Sequence, residues 1–402
     1  MLIEREKLYK FPWSQSDNAG GWVEVTDDCD LTCPNCYRHR LEGHRPLDEV
    51  KQDIIDCHDL TNCDGMAIAG GEPLLYPEIV EVVDFIYSHK IKPVLLTNGY
   101  KLTRELAVEL RKAGLYKILF HIDSDQNRPE WNGKTEIEMN ELRQYYADLI
   151  WDVGKIHCGF HVTVTLSTLK FIPGIVEWGR KNIHKVQHIS FIALRGLLVD
   201  GSLKYMVNGE IIDTNKFSVQ IMDPKEIMIS SEEMFNILIE KFPDSLPCAY
   251  LGGTSALNTY KFLIIINIGS KKNIHGNLGA KTIEMVQVFS HLFKGRYSSG
   301  PRNPKVGRKT FFLSAFDRNL RKAFIFFLKL SIKNPLRFFD KIYIQSINFQ
   351  QPSEIVNGEI NLCSGCYNMM MYKGKLINSC KLDEYRIFGD AVTPILSDNI
   401  NK

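Results

Sequence analysis

Apolar and polar positions change period repeatedly along the first half of this chain. Short apolar runs, many of them β-branched, occupy 21–26, 65–70, 92–97, 116–123, 158–165 and 186–194. Between them, apolar residues recur every three to four positions over 48–60, 78–90, 104–114, 136–153 and 172–182. Short or alternating apolar runs predict strands, and the 3.6-residue period predicts helices. Strands alternating with helices of this length predict βαβ units and a parallel sheet. Six strands are too few for a closed eight-fold barrel. The expected fold class is therefore α/β, a partial (β/α)6 barrel with its working loops at the C-terminal strand ends.

The pattern breaks after Gly196. Residues 197–260 mix turns and prolines with one helix over 231–242, for which Ser231 is the expected N-cap. Residues 318–332, RNLRKAFIFFLKLSI, read as a helix in which basic and aromatic residues interleave. Such a helix either packs in a core with snorkelling lysines or lies on a membrane surface. The expected organisation is a lead-in at 1–20, the barrel at 21–196, a mixed, helix-rich middle region at 197–355 and a small cysteine module at 356–402. The middle region is basic and aromatic from about 261.

The 402 residues are 44% hydrophobic and 24% charged, which fits a globular protein with a large core. The N-terminus is charged from the start, and no run of about 18 apolar residues occurs. Neither an export signal nor a transmembrane helix is expected. A cytoplasmic, reducing compartment follows, in which cysteines serve metals or catalysis rather than disulfides. The net charge of +2 is unevenly spread. Residues 261–341 hold 17 Lys and Arg against Glu284, Asp317 and Asp340, about +14, which leaves about −12 elsewhere. This stretch is either a solvated basic face or a contact for something anionic. A phosphorylated substrate would fit, as would a membrane surface at which the protein sits peripherally. Nucleic acid is not the expected partner.

Candidate chemistry concentrates in cysteine. Cys29, Cys33 and Cys36 fall within CDLTCPNC, directly after the first strand. Thiolates suit iron–sulfur clusters, zinc and copper(I). Three thiolates on a four-iron cluster leave one iron open to a ligand. A structural zinc site needs a fourth donor, for which His39 and His44 are near in sequence. A second group, Cys363, Cys366 and Cys380, has C-x2-C-x13-C spacing, and Cys248 is the candidate fourth ligand. A cluster and a zinc ion both fit it. The two groups are expected to lie apart in space. Cys57, Cys63 and Cys158 read as buried thiols.

Three motifs on successive strands resemble the radical S-adenosylmethionine (SAM) enzymes. They are the cysteine loop after the first strand, GGEP (Gly70, Gly71, Glu72, Pro73) after the second, and TNG, with Asn98, after the third. The resemblance covers about 20–196 and implies the radical SAM type of partial barrel. It implies a [4Fe–4S] cluster on Cys29, Cys33 and Cys36, whose open iron chelates the methionine part of SAM, with the GGE backbone alongside. Glycine, lacking Cβ, permits such close approach. Glu72 is expected to accept from the SAM ammonium or to orient the strand end. Asp123 and Ser124 are expected to meet the SAM ribose or carboxylate, or else to hold a strand-end hydrogen bond. Tyr37 stands just after the third cysteine, whereas Asn35 occupies the place where the family often has an aromatic residue near the adenine. His161, Thr163 and Thr165 share a face of the fifth strand, and Arg195 ends the sixth.

The C-terminal cysteines resemble the auxiliary modules of twitch or SPASM type, without the further C-x2-C-x5-C run of the latter. They imply one second iron–sulfur cluster. The resemblance implies reductive cleavage of SAM to a 5′-deoxyadenosyl radical, fed by a reductant such as flavodoxin or ferredoxin. Hydrogen abstraction from an unidentified peptide, sugar, lipid or other metabolite follows, and the basic segment favours something anionic or lipid-like. No cobalamin domain is expected, the stretch before Cys29 being short. The contrasting reading is an iron–sulfur or zinc protein without SAM chemistry.

Overall fold

The computed structural model describes residues 3–36, 38–39, 41–301, 307–356 and 359–397. Six strands line up in chain order: β1 (Gly20–Thr26), β2 (Gly65–Gly70), β3 (Lys92–Thr97), β4 (Lys117–His121), β5 (His157–Val164) and β6 (His188–Ala193). Every neighbouring pair is parallel. The crossovers are α1 (Leu47–Thr61), α2 (Ile79–Ser88), α3 (Arg104–Lys112), α4 (Asn140–Val153) and α5 (Ile172–Lys181). β2 and β3 are buried at almost every position, as parallel strands covered on both faces are. The core runs from Val23 and Ile68 through Phe120 and Phe160 to Phe191.

Two helix starts differ from expectation. α4 begins at Asn140 rather than at 136. Glu136 turns inward instead, where its carboxylate pairs with the fully buried Arg143 at 2.5 Å, while Thr135 and Glu138 close a local turn of their own. α6 (Ser231–Lys241) is capped by Ser230, whose hydroxyl accepts from the Glu233 amide at 3.0 Å. Ser231 is buried and donates to the Phe349 carbonyl.

Strands from the later regions flank the barrel on both edges. β7 (Pro247–Gly252), β8 (Tyr260–Ser270) and β9 (Ile274–Asn277) lead to α7 (Ala280–Lys294), α8 (Arg318–Lys333) and β10 (Ile342–Gln350). β10 pairs in parallel with β6, and β8 pairs antiparallel to it. At the other edge β11 (Met369–Tyr372) pairs in parallel with β1 and turns back through β12 (Lys375–Asn378) to α9 (Leu382–Phe388). Because β10 runs with β6, Ile342 sits at the N-terminal end of the barrel strands and Gln350 at the C-terminal end. Residues 307–341 therefore lead into the end opposite the cysteine loop and do not line the barrel mouth. No helix among the described residues is long and apolar enough to cross a membrane.

Candidate functional site

The cysteine loop leaves the C-terminal end of β1 and turns tightly, the Cys36 amide donating to the Cys33 carbonyl at 3.2 Å. The loop is rooted against GGEP. The Gly71 amide donates to Thr26 O at 2.8 Å, and the Glu72 amide to Asp28 O at 2.7 Å. A Cβ on Gly70 would lie 2.3 Å from Thr26 O, and one on Gly71 2.2 Å from Asp28 O. The sequence points to ligand approach as the reason for these glycines. The structure adds a nearer one: backbone closing on backbone at the base of the loop. Pro73 opens a buried 3-10 turn, Pro73–Leu75.

Glu72 is buried, and its carboxylate accepts from the Leu74 amide (2.9 Å), the Thr97 hydroxyl (2.5 Å) and the Asn98 amide (2.7 Å). These bonds tie the end of β2 to the end of β3. Burial pushes its pKa up to about 7 against the pull of those bonds. Since the folded value lies above the ordinary 4.5, the native state holds the extra proton between those limits and stability falls as pH rises through them. Glu72→Gln is expected to flatten that slope. Glu72→Ala, which leaves three buried donors unpaired, is expected to cost about 3 kcal/mol or more. Thermal melts across this pH window check both; an unchanged slope in Glu72→Gln would mean that another group sets it.

Asn98 is a junction. Its side chain donates to Asp30 Oδ1 at 2.7 Å and accepts from the Tyr100 amide, and its carbonyl accepts from Arg128 Nη2 at 2.7 Å. Asp123, just past β4, meets His121 Nε2 at 2.9 Å and accepts from the amides of Asp125 and Thr163. Burial works to raise its pKa, but the His121 and Thr163 hydrogen bonds hold it below the usual carboxylate value. The Ser124 amide donates to Glu136. Thr163 shares His121 Nε2 at 2.9 Å, and the Thr165 hydroxyl meets Ser167. Tyr37 lies outside the described residues.

The segment after Asp123, DQNR, carries residues that sequence reasoning missed. Asn35 donates to Asp125 at 3.2 Å, and Asn127 to Thr32 O at 3.3 Å, so this segment latches the cysteine loop. Arg128 is 3% exposed, yet its Nε and Nη1 have no protein partner; Asp30 Oδ2 has none either. Unpaired buried charge is costly and calls for an occupant. Arg128 acts electrostatically on Cys33, and Asp30 on Cys29. A buried donor and a buried acceptor, both tied to Asn98, thus flank the three thiols. That set fits the carboxylate and ammonium of an amino acid. The only sequence signal was a lone arginine five positions past Asp123. As free thiols, Cys29 is raised by burial and Cys33 is pushed up to about 12 by burial and the Asp123 charge; a bound cation reverses that balance.

The structure brings Cys363, Cys366 and Cys380 together. Cys363 bonds to Cys366, which together with burial raises its pKa. Lys261 acts on Cys363 and Cys380, and Arg195 and Lys381 act on Cys380. Cys248 is not brought to this group. It lies five positions before Gly253, the bridge partner of Cys363, about 16 Å away along an extended strand. Its thiol donates to Ile264 O, in a cluster with Leu251, Ile268 and Phe311. Among the described residues no three His, Cys, Asp or Glu side chains converge as the ligands of one ion do. A cluster takes its thiolates on separate irons.

A contact through α9 ties the segment that follows the first cysteine group to the one that follows the second. The His39 amide donates to Asp383 at 2.5 Å, two residues into α9 from Lys381. Arg386, further along α9, meets Asp27 at 2.7 Å and Glu24 at 3.5 Å. Arg38 pairs with the same two carboxylates. A cleft of about 100 Å³ opens beside the second group, lined by Arg195, Glu354, Lys381 and Asp383 together with apolar side chains such as Leu198 and Phe217.

Residues 23–178 match the family model described as the Radical SAM superfamily. The chain is 25% identical over 182 residues to the "Probable GTP 3′,8-cyclase" of Methanocaldococcus jannaschii, covering 43% of this chain and 59% of the relative. It is 31% identical over 104 residues to the "AdoMet-dependent heme synthase" of Methanosarcina barkeri, covering 25% and 30%. In both, the chain spans less than two thirds of the relative's own length. Among solved structures, SuiB of Streptococcus suis bound to S-adenosylmethionine aligns with a TM-score of 0.39 at 16% identity, over 57% of this chain and 48% of the other.

Proposed function

We propose that the radical SAM domain formed by residues 23–178 cleaves SAM reductively, with Cys29, Cys33 and Cys36 as thiolate ligands of a [4Fe–4S] cluster. The observation that carries the reading is that buried Arg128 Nε and Nη1 and Asp30 Oδ2, beside those thiols, lack hydrogen-bond partners while the other atoms of both groups are held in place. Held by Cys29, Cys33 and Cys36, such a cluster would supply one-electron reduction of SAM and, through it, hydrogen abstraction from the substrate. The chain's own work is placement. Arg128 takes the SAM carboxylate, Asp30 takes the ammonium, and Asn98 holds both at fixed separation. Gly70, Gly71, Glu72 and Pro73 brace the loop that carries the thiols, while Asp123 and Ser124 close the adjacent strand end. The electron comes from a donor of the flavodoxin or ferredoxin class.

Cys363, Cys366 and Cys380 hold a second iron–sulfur cluster of the twitch or SPASM kind in this reading. Its support is three gathered thiols with Lys261, Arg195 and Lys381 near enough to offset their charge. Zinc is the contrasting occupant, and it would need three donors drawn in around one ion, which no three of the described side chains are. The cleft beside the three cysteines, with both signs of charge, is the proposed substrate site. A peripheral position at a membrane surface is part of the same reading, supported by the exposed basic and aromatic face around α8.

The test is anaerobic reconstitution with iron and sulfide, reduction, and assay of 5′-deoxyadenosine. The wild-type chain is expected to produce it. Arg128→Leu is expected to raise the KM for SAM about tenfold to a hundredfold, the value of a hydrogen bond between charged groups, with its iron content unchanged. A fully iron-loaded wild type that makes no 5′-deoxyadenosine would sink the proposal.

A further inference from the structure

Residues 307–341 fold as one unit. Arg308 donates to the carbonyls of Phe338 and Asp340, Arg321 to those of Ser314 and Ala315, and Phe311 stacks on Phe327 at 5.5 Å. α8 buries Leu320, Ala323, Phe327 and Ser331, packing on β9. Its other face is exposed and carries cations and apolar side chains in turn: Arg318, Lys322, Ile325, Lys329 and Ile332. Their spacing of three and four puts them on one line of the helix. Beside it, Phe312, Phe316, Leu336 and Phe339 are 84, 68, 77 and 76% exposed. The acids of the unit do not offset the charge of this face. Asp317 is buried as the cap of α8 and accepts from Thr282 as well, and Asp340 is half-buried.

A solvated basic face accounts for the cations but not for the bare phenyl rings, since soluble surfaces rarely leave large apolar patches uncovered. A bilayer interface meets both. Rings enter the boundary between headgroups and acyl chains, and lysines stay among anionic headgroups. We propose that this face docks on an anionic lipid bilayer. The inference rests on the peripheral location proposed above and is independent of the SAM chemistry. The occupant is chosen by charge complementarity: Arg308, Lys309, Lys322, Lys329, Lys333 and Lys341 are all exposed on the same folded unit as the rings.

The test is co-sedimentation of the full chain with vesicles of phosphatidylcholine, with and without phosphatidylserine, over a salt series. Binding is expected to need phosphatidylserine and to weaken as salt rises. Replacing Lys309, Lys322, Lys329 and Lys333 with Gln, all on the surface, is expected to lower partitioning on the order of a hundredfold or more. Phe312→Ser with Phe339→Ser is expected to weaken binding at every salt concentration. No vesicle binding overturns the proposal, as does equal binding to both lipids. So does a dimer that protects the same rings, or retention on a soluble polyanion without vesicle binding. 5′-Deoxyadenosine production by the lysine variant in solution is expected to match wild type, so loss of docking and loss of SAM cleavage are separate results.

Discussion

Cys33→Ala is expected to abolish 5′-deoxyadenosine production and leave the fold intact, and Cys29→Ala and Cys36→Ala are expected to do the same. With only two thiolates the cluster has no stable seat, so iron is expected to fall from about eight to about four per chain, the second group keeping its share. The fold survives because the loop contributes little to the core. Cys29 is exposed, Cys33 and Cys36 are half-buried, and the loop is held by Asn35–Asp125 and Asn127–Thr32 rather than by its thiols. The measurements are iron content, a melting curve and product yield on the same preparation. Full product from any one of the three variants would remove the cluster from this loop.

The second large effect is expected from Ala at Cys363, Cys366 and Cys380 together. That variant should hold about half the wild-type iron and still cleave SAM in the absence of substrate. A complication comes from α9, which follows Cys380 directly and carries Asp383 and Arg386 to the root of the first loop. Arg386 and Arg38 share Glu24 and Asp27, so a displaced α9 leaves those carboxylates with one cation in place of two. Removing one partner of a mostly buried ion pair costs about 3 kcal/mol or more. The triple variant is therefore expected to melt earlier than wild type, and Arg386→Ala alone to reproduce part of that loss. If the triple variant keeps all its iron and the wild type holds stoichiometric zinc, the second site is a zinc site.

The alternation of strand and helix from residue 20 to residue 194 was legible because each element carries its own period. What that period could not reveal was anything made by distant pairing. β10 joins β6 across more than a hundred residues, and β11 joins β1 from near the other end of the chain; neither pairing leaves a local mark. Glu136 has the composition of a helix residue and was read as one, but its buried partner Arg143 claims it. At the site, motif spacing exposed the cysteines and the glycines but gave no sign that the Thr26 and Asp28 carbonyls also stand against those glycines. Arg128 and Asp30 escaped notice because a single charged residue in a loop has no pattern to set it apart. Cys248 was chosen by residue type alone, and strand length separates it from the group it was meant to complete.

The direction of β10 has a consequence for what can reach the cysteine loop. With the basic, aromatic face at one end of the strands and the cysteine loop at the other, a docked barrel holds its opening on the order of 20–30 Å from the headgroups, one strand length away. A membrane-resident chain would have to leave the bilayer to get there. At about 0.8 kcal/mol per methylene, extracting an acyl chain of about sixteen carbons costs roughly 12 kcal/mol. The cleft at the end of β6 has apolar walls, among them Leu194, Leu198, Phe217 and Val219, but at about 100 Å³ it has room for only a fragment of such a chain. On the proposed docking, the bilayer would serve as an address that concentrates the protein beside something soluble or merely tethered, and the compound to be altered would arrive from the water.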